Sequence, residues 1–274
     1  MLNSGASRRG TSRLTGGSRS RRRIAMSHYH EQPVGEIEAL SGEHAGEPVR
    51  ELSVAGIQES PAAGKARSAG FLAVQQRLDG ADQLTWLFAG DRLVDAAVQP
   101  QRWRSSSEYF ADWVRRDLNR PLDLLVDLTL PGETSGELRK RLEMSLLRLN
   151  ADVVSVTLGF ADAQDGPRGL AIFLHNLKQI VALIRSEGAV PLLQTPHRVG
   201  SMQAAFQSAL LPYARAIRET ARELDVACVN HWGRWRRVER SRGSLRRWLD
   251  PEEMYPSPRG HAAMARLLST KIGR

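Results

Sequence analysis

Five short apolar runs, each separated from the next by a segment with helical spacing, constrain the fold of this chain more than any other feature. The runs are LeuThrTrpLeuPhe (84–88), LeuLeuValAspLeu (124–128), ValValSerValThrLeu (153–158), AlaValProLeuLeuGln (189–194) and ValAlaCysVal (226–229). Such alternation is typical of βαβ units around a parallel sheet. Continuous apolar strands indicate that both faces of the sheet are covered. We therefore predict an α/β fold, a three-layer α/β/α sandwich with a mostly parallel, five-stranded sheet.

The segments between these runs are predicted to be helices. Thr134 opens a capping-box pattern, and leucines then follow on one stripe as far as Leu149. Further helices are predicted at 106–118, 169–186 and 202–223, and after Pro258. Because sites in open parallel sheets form where the strands end, the candidate site lies in the post-strand loops. These loops are 89–95, 129–134, 159–166, 195–201 and 230–257.

The charge of the chain is unevenly distributed and predicts two parts. The net charge is +9, but residues 1–26 contain seven arginines and no acid, whereas residues 27–66 contain seven acids and two cations. We predict a disordered basic tail and acidic linker over 1–66 and one domain over 67–274. Translation from Met1 or from Met26 stays open. Neither an export signal nor a run of roughly 18 uncharged apolar residues is recognisable, so the expected location is the cytoplasm.

Four short motifs follow the strands or precede the last helix. They are AlaGlyAspArgLeuValAsp (89–95), LeuProGlyGluThr (130–134), LeuGlyPheAlaAsp (158–162) and AspProGluGluMetTyrProSerProArgGlyHis (250–261). In this order they resemble the motif blocks of the SGNH (GDSL-type) hydrolases, namely GDS, a Gly-x-Thr turn, GxND and DxxHP. The resemblance covers about 83–268. It implies the sandwich fold and ester hydrolysis by a Ser–His–Asp triad.

The catalytic positions of that family are substituted here. By the resemblance, Arg92 stands at the nucleophilic serine, Ala161 at the oxyanion asparagine, Tyr255 at the base histidine and Glu252 at the aspartate. Only the oxyanion glycine, Gly132, is unchanged. A guanidinium stays protonated, alanine has no donor, and tyrosine with a pKa of about 10 is a poor base near neutrality. We therefore predict a pseudoenzyme in which no catalytic residue is intact.

We predict that the former cleft binds a small anionic or acyl/carbohydrate ligand, without a cofactor or metal. The candidate binding residues are Asp91, Arg92, Gly132, Asp162, His197 and Tyr255. Two geometries are open for Arg92. It could pair with a carboxylate, with Glu252 favoured over Asp162 and Glu253, and clasp the loop 250–257 against the first strand. Alternatively, it could turn outward and bind an anion beside the amides of Gly132 and Glu133.

Two other functions are weighed against this reading. An ester hydrolase could use relocated residues, drawn from Ser105–Ser107, Ser135, Ser257, His197, His231 and His261, although the serine run 105–107 is typical of a helix N-cap. A nucleic-acid or acidic-partner binder could use segment 231–248, which interleaves three Trp with seven Arg. No nucleic-acid motif accompanies that segment. We therefore favour a loop over the sheet edge, with packed Trp and with Arg that are solvated or paired with local acids.

Overall fold

A computed structural model describes residues 68–80, 83–93, 103–240 and 245–273 of this chain. The predicted tail and linker over 1–66 lie outside the described residues, so that domain boundary stays a prediction. The strands are β1 Thr85–Gly90, β2 Leu124–Asp127, β3 Val153–Thr157, β4 Val190–Gln194 and β5 Ala227–Val229. The helices are α1 Ala69–Gly80, α2 Ser106–Arg116, α3 Ser135–Leu149, α4 Gly166–Ser186, α5 Ala204–Glu223, α6 His231–Arg240 and α7 Pro258–Ile272.

The five strands form one parallel sheet in the order β2-β1-β3-β4-β5. The predicted α/β sandwich with a five-stranded parallel sheet is confirmed. The register places Phe88 beside Asp127 on one side of β1 and Gly90 beside Thr157 on the other. The carboxyl ends of β1, β2 and β3 therefore meet at one edge of the sheet, and the first three motif loops leave from that edge.

Helices cover both faces of the sheet, as the continuous apolar strands predicted. On one face, α3, α4 and α5 contribute Leu142, Phe173 and Ile217 to a large buried cluster. On the other face, α1, α2 and α7 contribute residues such as Val74 and Phe110 to a second cluster. The described residues thus form the three layers expected of a doubly covered sheet.

Local sequence signals fix where several helices begin. Ser105 and Thr134 accept from the backbone amides of Glu108 and Glu137, and each glutamate bonds back to its capping residue, so both helices start with a capping box. Ser257 caps α7 by accepting from the Gly260 amide. The predicted N-cap within the serine run and the predicted box at Thr134 are both confirmed.

Two helices differ from the sequence-based expectation. Helix α1 was not predicted, because its sequence AlaGlyPheLeuAlaValGlnGlnArgLeuAspGly has little amphipathic contrast. The segment expected to be a loop over the sheet edge contains helix α6 and a 3₁₀ turn at Leu245–Trp248. Its Trp are packed, as expected: Trp235 is fully buried and Trp232 is 6% exposed.

None of the helices in the described ranges has the length and apolar composition needed to cross a bilayer.

Candidate functional site

The first loop is held against β3 by Gly90, which brings Asp91 and Arg92 to the sheet edge. Gly90 has φ +102°, and a Cβ there would lie 2.0 Å from the carbonyl oxygen of Thr157. Any other residue would therefore be both strained and blocked. The Asp91 amide donates to the same Thr157 oxygen at 2.8 Å, and the Arg92 amide donates to Leu130 O at 3.1 Å. The loop that carries Arg92 is thus fixed by β3 on one side and the second motif loop on the other.

The Arg92 side chain pairs with residues at the end of β2 instead of the 250–257 loop. Its Nε donates to Thr129 Oγ1 at 3.2 Å, and its Nη2 lies 3.9 Å from Asp127 Oδ1. The side chain is 41% exposed. The expected pair with Glu252 is therefore wrong, as is the less favoured pair with Asp162 or Glu253. The parallel register of β1 and β2 instead places Asp127 close to Arg92. The sequence analysis did not predict this pair.

Asp127 is the centre of a small polar network that sequence reasoning missed. One of its oxygens accepts from the Thr129 amide and hydroxyl, and the other accepts from the Ser107 hydroxyl. Ser107 also exchanges a hydrogen bond with Ser105, the N-cap of α2. Arg92 therefore joins a network that already links β2 to the start of α2. The position of Asp127 as the last residue of β2 was the available signal.

Asp91 is buried beside Arg92 and links the first and second motif loops. Its Oδ1 accepts from the amides of Leu93 at 3.2 Å and Gly132 at 3.1 Å, while its Oδ2 has no hydrogen-bond partner among the described residues. Burial raises the pKa of Asp91 to about 6, although these amides favour the ionised form. The Gly132 amide is therefore already engaged inside the protein.

The second motif loop is a tight turn whose amides face inward. Gly132 has φ +73°, and the Glu133 amide donates to Leu130 O at 3.2 Å, as in a type II turn with Pro131 and Gly132 at its centre. The buried Glu133 carboxylate is paired with Arg141 on α3. Since both amides donate within the protein, the expected anion site formed by the amides of Gly132 and Glu133 is not present in this arrangement.

The third motif loop has the aspartate of the family motif, Asp162, but it has Ala161 in place of the asparagine that donates to the oxyanion. Asp162 is buried, and its Oδ1 accepts from the Ser135 amide at 2.9 Å and hydroxyl at 2.6 Å, while Oδ2 accepts from the Gly159 amide at 3.2 Å. Burial raises the pKa of Asp162 against the effect of these bonds. Ala161 contributes only a methyl group at the oxyanion position. Asp162 therefore supports the loop, and Ser135 is committed to that support.

The 250–257 loop is anchored by Glu253, the neighbour of the predicted residue. Glu253 is 2% exposed, and its carboxylate accepts from Arg246 Nε at 2.5 Å and from the Met202 amide at 3.1 Å. The Met202 amide and Arg246 lower the pKa of Glu253. Glu252, by contrast, is exposed. A clasp on this loop therefore exists, but it joins Glu253 to the loop at 200–202 and to Arg246.

Tyr255 and His197 both contact the Phe160 ring. The Phe160 ring stacks on His197 with centroids 5.3 Å apart and lies 5.4 Å from the half-buried Tyr255 ring. His197 is fully buried, and its Nε2 is 2.9 Å from the carbonyl oxygen of Met254. The structure therefore brings these two predicted site residues together through Phe160, a residue that sequence reasoning did not single out.

Buried histidines form a group behind this loop. Burial lowers the pKa of His197 to about 4, of His231 to about 3 and of His261 to about 4. His231 Nε2 lies 2.7 Å from Gln194 Oε1, and His261 has no hydrogen-bond partner among the described residues. In the described part of the chain, no histidine bonds to a serine, threonine or carboxylate. A relocated Ser–His–Asp arrangement is therefore not assembled there.

Comparison with known proteins supports the family suggested by the motifs. The profile of the GDSL-like lipase/acylhydrolase family matches residues 88–263. A search of curated protein sequences gave no match. Among solved structures, the acetylxylan esterase Axe2 from Geobacillus stearothermophilus is similar, with 19% identity and a TM-score of 0.59 over 70% of this chain and 94% of the esterase.

Two further structures show the same fold. A lipase/acylhydrolase from Enterococcus faecalis is 20% identical, with a TM-score of 0.56 over 69% of this chain and 95% of its own. A putative GDSL-like lipase from Parabacteroides merdae is 14% identical, with a TM-score of 0.57 over the same shares. The fold, the motif order and the extent of the profile match agree. This chain belongs to the GDSL-like lipase/acylhydrolase (SGNH hydrolase) family.

Proposed function

We propose that this domain is a pseudoenzyme that keeps the SGNH frame, does not hydrolyse esters, and binds a small anionic or acyl ligand at the former active-site edge. The observation that supports the loss of hydrolysis is the position of Arg92. By the family resemblance Arg92 stands at the sequence position of the attacking serine, and its guanidinium is bonded to Thr129 and lies close to Asp127. A permanently protonated group cannot form an acyl-enzyme.

The partial exposure of Arg92 supports ligand binding. Its one ion-pair partner among the described residues, Asp127, lies at 3.9 Å, near the limit of an ion pair, and 41% of the Arg92 side chain faces solvent. Such a pair compensates the charge weakly. The guanidinium therefore remains able to bind a carboxylate through charge-assisted hydrogen bonds. The half-buried Tyr255 ring, which packs on the buried Phe160, offers an apolar contact for an acyl group or a sugar ring, a class suggested by the structural likeness to an acetylxylan esterase.

A relocated ester hydrolase is the weaker alternative. Ser135 donates to Asp162, Ser107 donates to Asp127, and His197 is bonded to a backbone carbonyl. A carboxylate without an intervening imidazole is a weak base for a serine hydroxyl at neutral pH, because its pKa is far below that of the hydroxyl. Each of these three groups therefore has a structural partner and lacks a catalytic one.

A titration with sodium acetate tests the binding proposal. In ¹⁵N-labelled protein, acetate should shift the amide signals of Arg92 and Leu93, and the Arg92→Gln variant should lose that response. Arg115→Gln, an exposed arginine on α2, is the matched control and should respond like the unmodified chain. Equal responses in both variants, or no response at about 100 mM acetate, which corresponds to binding too weak to be a site, would refute the proposal.

A further inference from the structure

The helix α6 separates the two residue types that are interleaved in its sequence. Trp232 and Trp235 face the core, at 6% and 0% exposure, whereas Arg236 and Arg237 are exposed. This arrangement follows from helical spacing, because residues three positions apart share a face. The side of α6 that carries the Trp therefore stabilises the domain, and the other side presents cations.

Two cavities flank the cationic side of α6. A cavity of about 130 Å³ between α5 and α6 is lined by Arg215, Arg218 and Arg236. A cavity of about 390 Å³ between α6, α1 and α7 is lined by Arg236, Arg237 and Lys271, with Phe71 and Leu267 as an apolar wall. Arg236 lines both cavities. No former catalytic position lines either of them, so this surface is separate from the edge that carries Arg92.

The charge of these two cavities is not compensated by the described part of the chain. All five cations are exposed, and none makes an ion pair or a side-chain hydrogen bond with a described residue. No carboxylate lines either cavity. Arginines elsewhere in the domain, such as Arg141 and Arg198, lie against acids. Five cations around two adjoining cavities create a local positive potential that attracts an anion.

Asn230 adds a neutral donor to the same place. It lines both cavities, and its Oδ1 accepts from the Gly233 amide at 2.8 Å. The other polar group of the side chain is the donor Nδ2. Gly233 also lines both cavities. A Cβ at Gly233 would lie 2.5 Å from Asn230 Nδ2, so glycine at this position leaves the space that the amide occupies. The amide and the Arg236 guanidinium therefore stand at the junction of the two cavities.

We propose that these two cavities form one binding site for a small organic molecule that carries at least two phosphate groups. Arginine guanidinium groups bind phosphate oxygens in pairs, and Arg236 can contact groups in both cavities. The larger cavity has the volume of an ordinary small-ligand pocket, roughly 300–1,000 Å³. Its wall of Phe71 and Leu267 accommodates the organic part of the molecule, while Arg237 and Lys271 face the charged part.

The packing of α6 disfavours single-stranded nucleic acid as the ligand. Binding of that kind combines a basic track with exposed rings on which successive bases stack. Here the two Trp of α6 are buried, and the cations surround two concave spaces. In the segment whose sequence suggested nucleic acid, the Trp of α6 therefore stabilise the domain, and the cations of α6 face the proposed anion site.

Calorimetric titration of the full chain with ADP and with inorganic pyrophosphate tests this site. Both should bind, and Arg236→Gln should weaken each by at least about tenfold because it removes the cation common to both cavities. Arg240→Gln is the matched control, since Arg240 is exposed on the same helix but lines neither cavity. Lys271→Gln should weaken ADP binding with a smaller effect, because Lys271 lines only the larger cavity.

Three results would overturn the proposal. One is that ADP, pyrophosphate or both fail to bind at about 1 mM. Another is equal weakening by Arg236→Gln and Arg240→Gln, which would indicate diffuse attraction to a basic surface. The third is tighter binding of a single-stranded DNA 20-mer than of ADP, with the same loss in Arg236→Gln, which would assign the surface to nucleic acid. Unchanged far-UV circular dichroism of each variant ensures that the comparison is between folded proteins.

Discussion

Among the positions equivalent to the family's active-site motifs, the supporting residues are unchanged in this chain, whereas the reacting residues are substituted. Asp91 and Asp162 keep the residue types of the family motifs and accept hydrogen bonds from the motif loops and from the start of α3. Arg92 and Glu252, at the nucleophile and aspartate positions, face solvent in part or fully. The difference indicates that the loops need their buried polar bonds to fold, whereas the reacting groups can be replaced at little cost in stability.

The largest effect is expected from acid, through the buried histidines behind the 250–257 loop. His197, His231 and His261 have folded-state pKa values of about 4, 3 and 4, below the unfolded value of about 6.5. The unfolded chain therefore binds more protons below pH 6.5, and stability should fall from there to about pH 4. Asp91 and Asp162 act in the opposite direction, because burial raises their folded-state pKa above the unfolded value, but two carboxyls oppose three imidazoles.

Urea denaturation at pH 7 and pH 4.5 measures this loss, which should reach several kcal/mol. His261→Leu removes one buried imidazole whose nitrogens have no hydrogen-bond partner among the described residues, so it should reduce the acid sensitivity. His175→Leu, at an exposed position on α4, should leave it unchanged. A stability that is flat between these pH values would show that the histidines are not held neutral.

Replacement of Asp162 by alanine should destabilise the domain by about 3 kcal/mol or more, because it leaves the amides of Ser135 and Gly159 and the Ser135 hydroxyl without their acceptor. Asp165→Ala, an exposed acid in the same 3₁₀ turn, is the control and should change stability little. Equal losses in the two variants, measured by urea denaturation, would contradict the supporting role assigned to Asp162.

Adjacent glutamates in the last motif loop should differ in the same way. Glu253→Ala removes the acceptor for the Met202 amide and for Arg246, and it should cost about 2 kcal/mol. Glu252→Ala changes an exposed side chain and should cost less than about 0.5 kcal/mol. Thermal unfolding of the two variants side by side measures the difference. A larger effect at Glu252 would contradict this assignment and would favour the Arg92–Glu252 pair that the sequence suggested.

The smallest effect on stability is expected at Arg92. Because its side chain is 41% exposed and its ion pair with Asp127 is long, Arg92→Ala should destabilise the domain by less than about 1 kcal/mol. A loss of about 3 kcal/mol or more would mean that Arg92 is a buried structural charge after all. Urea denaturation at neutral pH distinguishes the two.

The fold was predictable from the sequence because its signals are local. Apolar runs, the capping boxes at Ser105 and Thr134, and the glycine positions are each determined by residues near them in the chain. Helix α6 carried a readable signal as well, since Trp232 and Trp235 have helical spacing, although the segment was expected to be a loop. The sequence of helix α1 has little amphipathic contrast, so this helix was not predicted.

The partners in the site were not predictable because they depend on register and loop conformation. Asp127 reaches Arg92 because β1 and β2 align Phe88 with Asp127, an alignment that no single segment encodes. Glu253 is buried and Glu252 exposed because the backbone at Glu253 adopts a left-handed conformation with φ +58°, which turns its side chain toward Met202. Motif spacing alone places both glutamates in the same loop and cannot choose between them.

Labelling with a fluorophosphonate tests the loss of serine-esterase chemistry most directly. Intact-mass measurement of the purified full chain should show no covalent adduct on any serine, and p-nitrophenyl acetate should turn over at the background rate. Arg92→Ser should remain equally inert, because Ala161 and Tyr255 leave the restored serine without an oxyanion donor and a base, and triad members act as a unit. An adduct on any serine of the unmodified chain, together with turnover above background, would contradict the account.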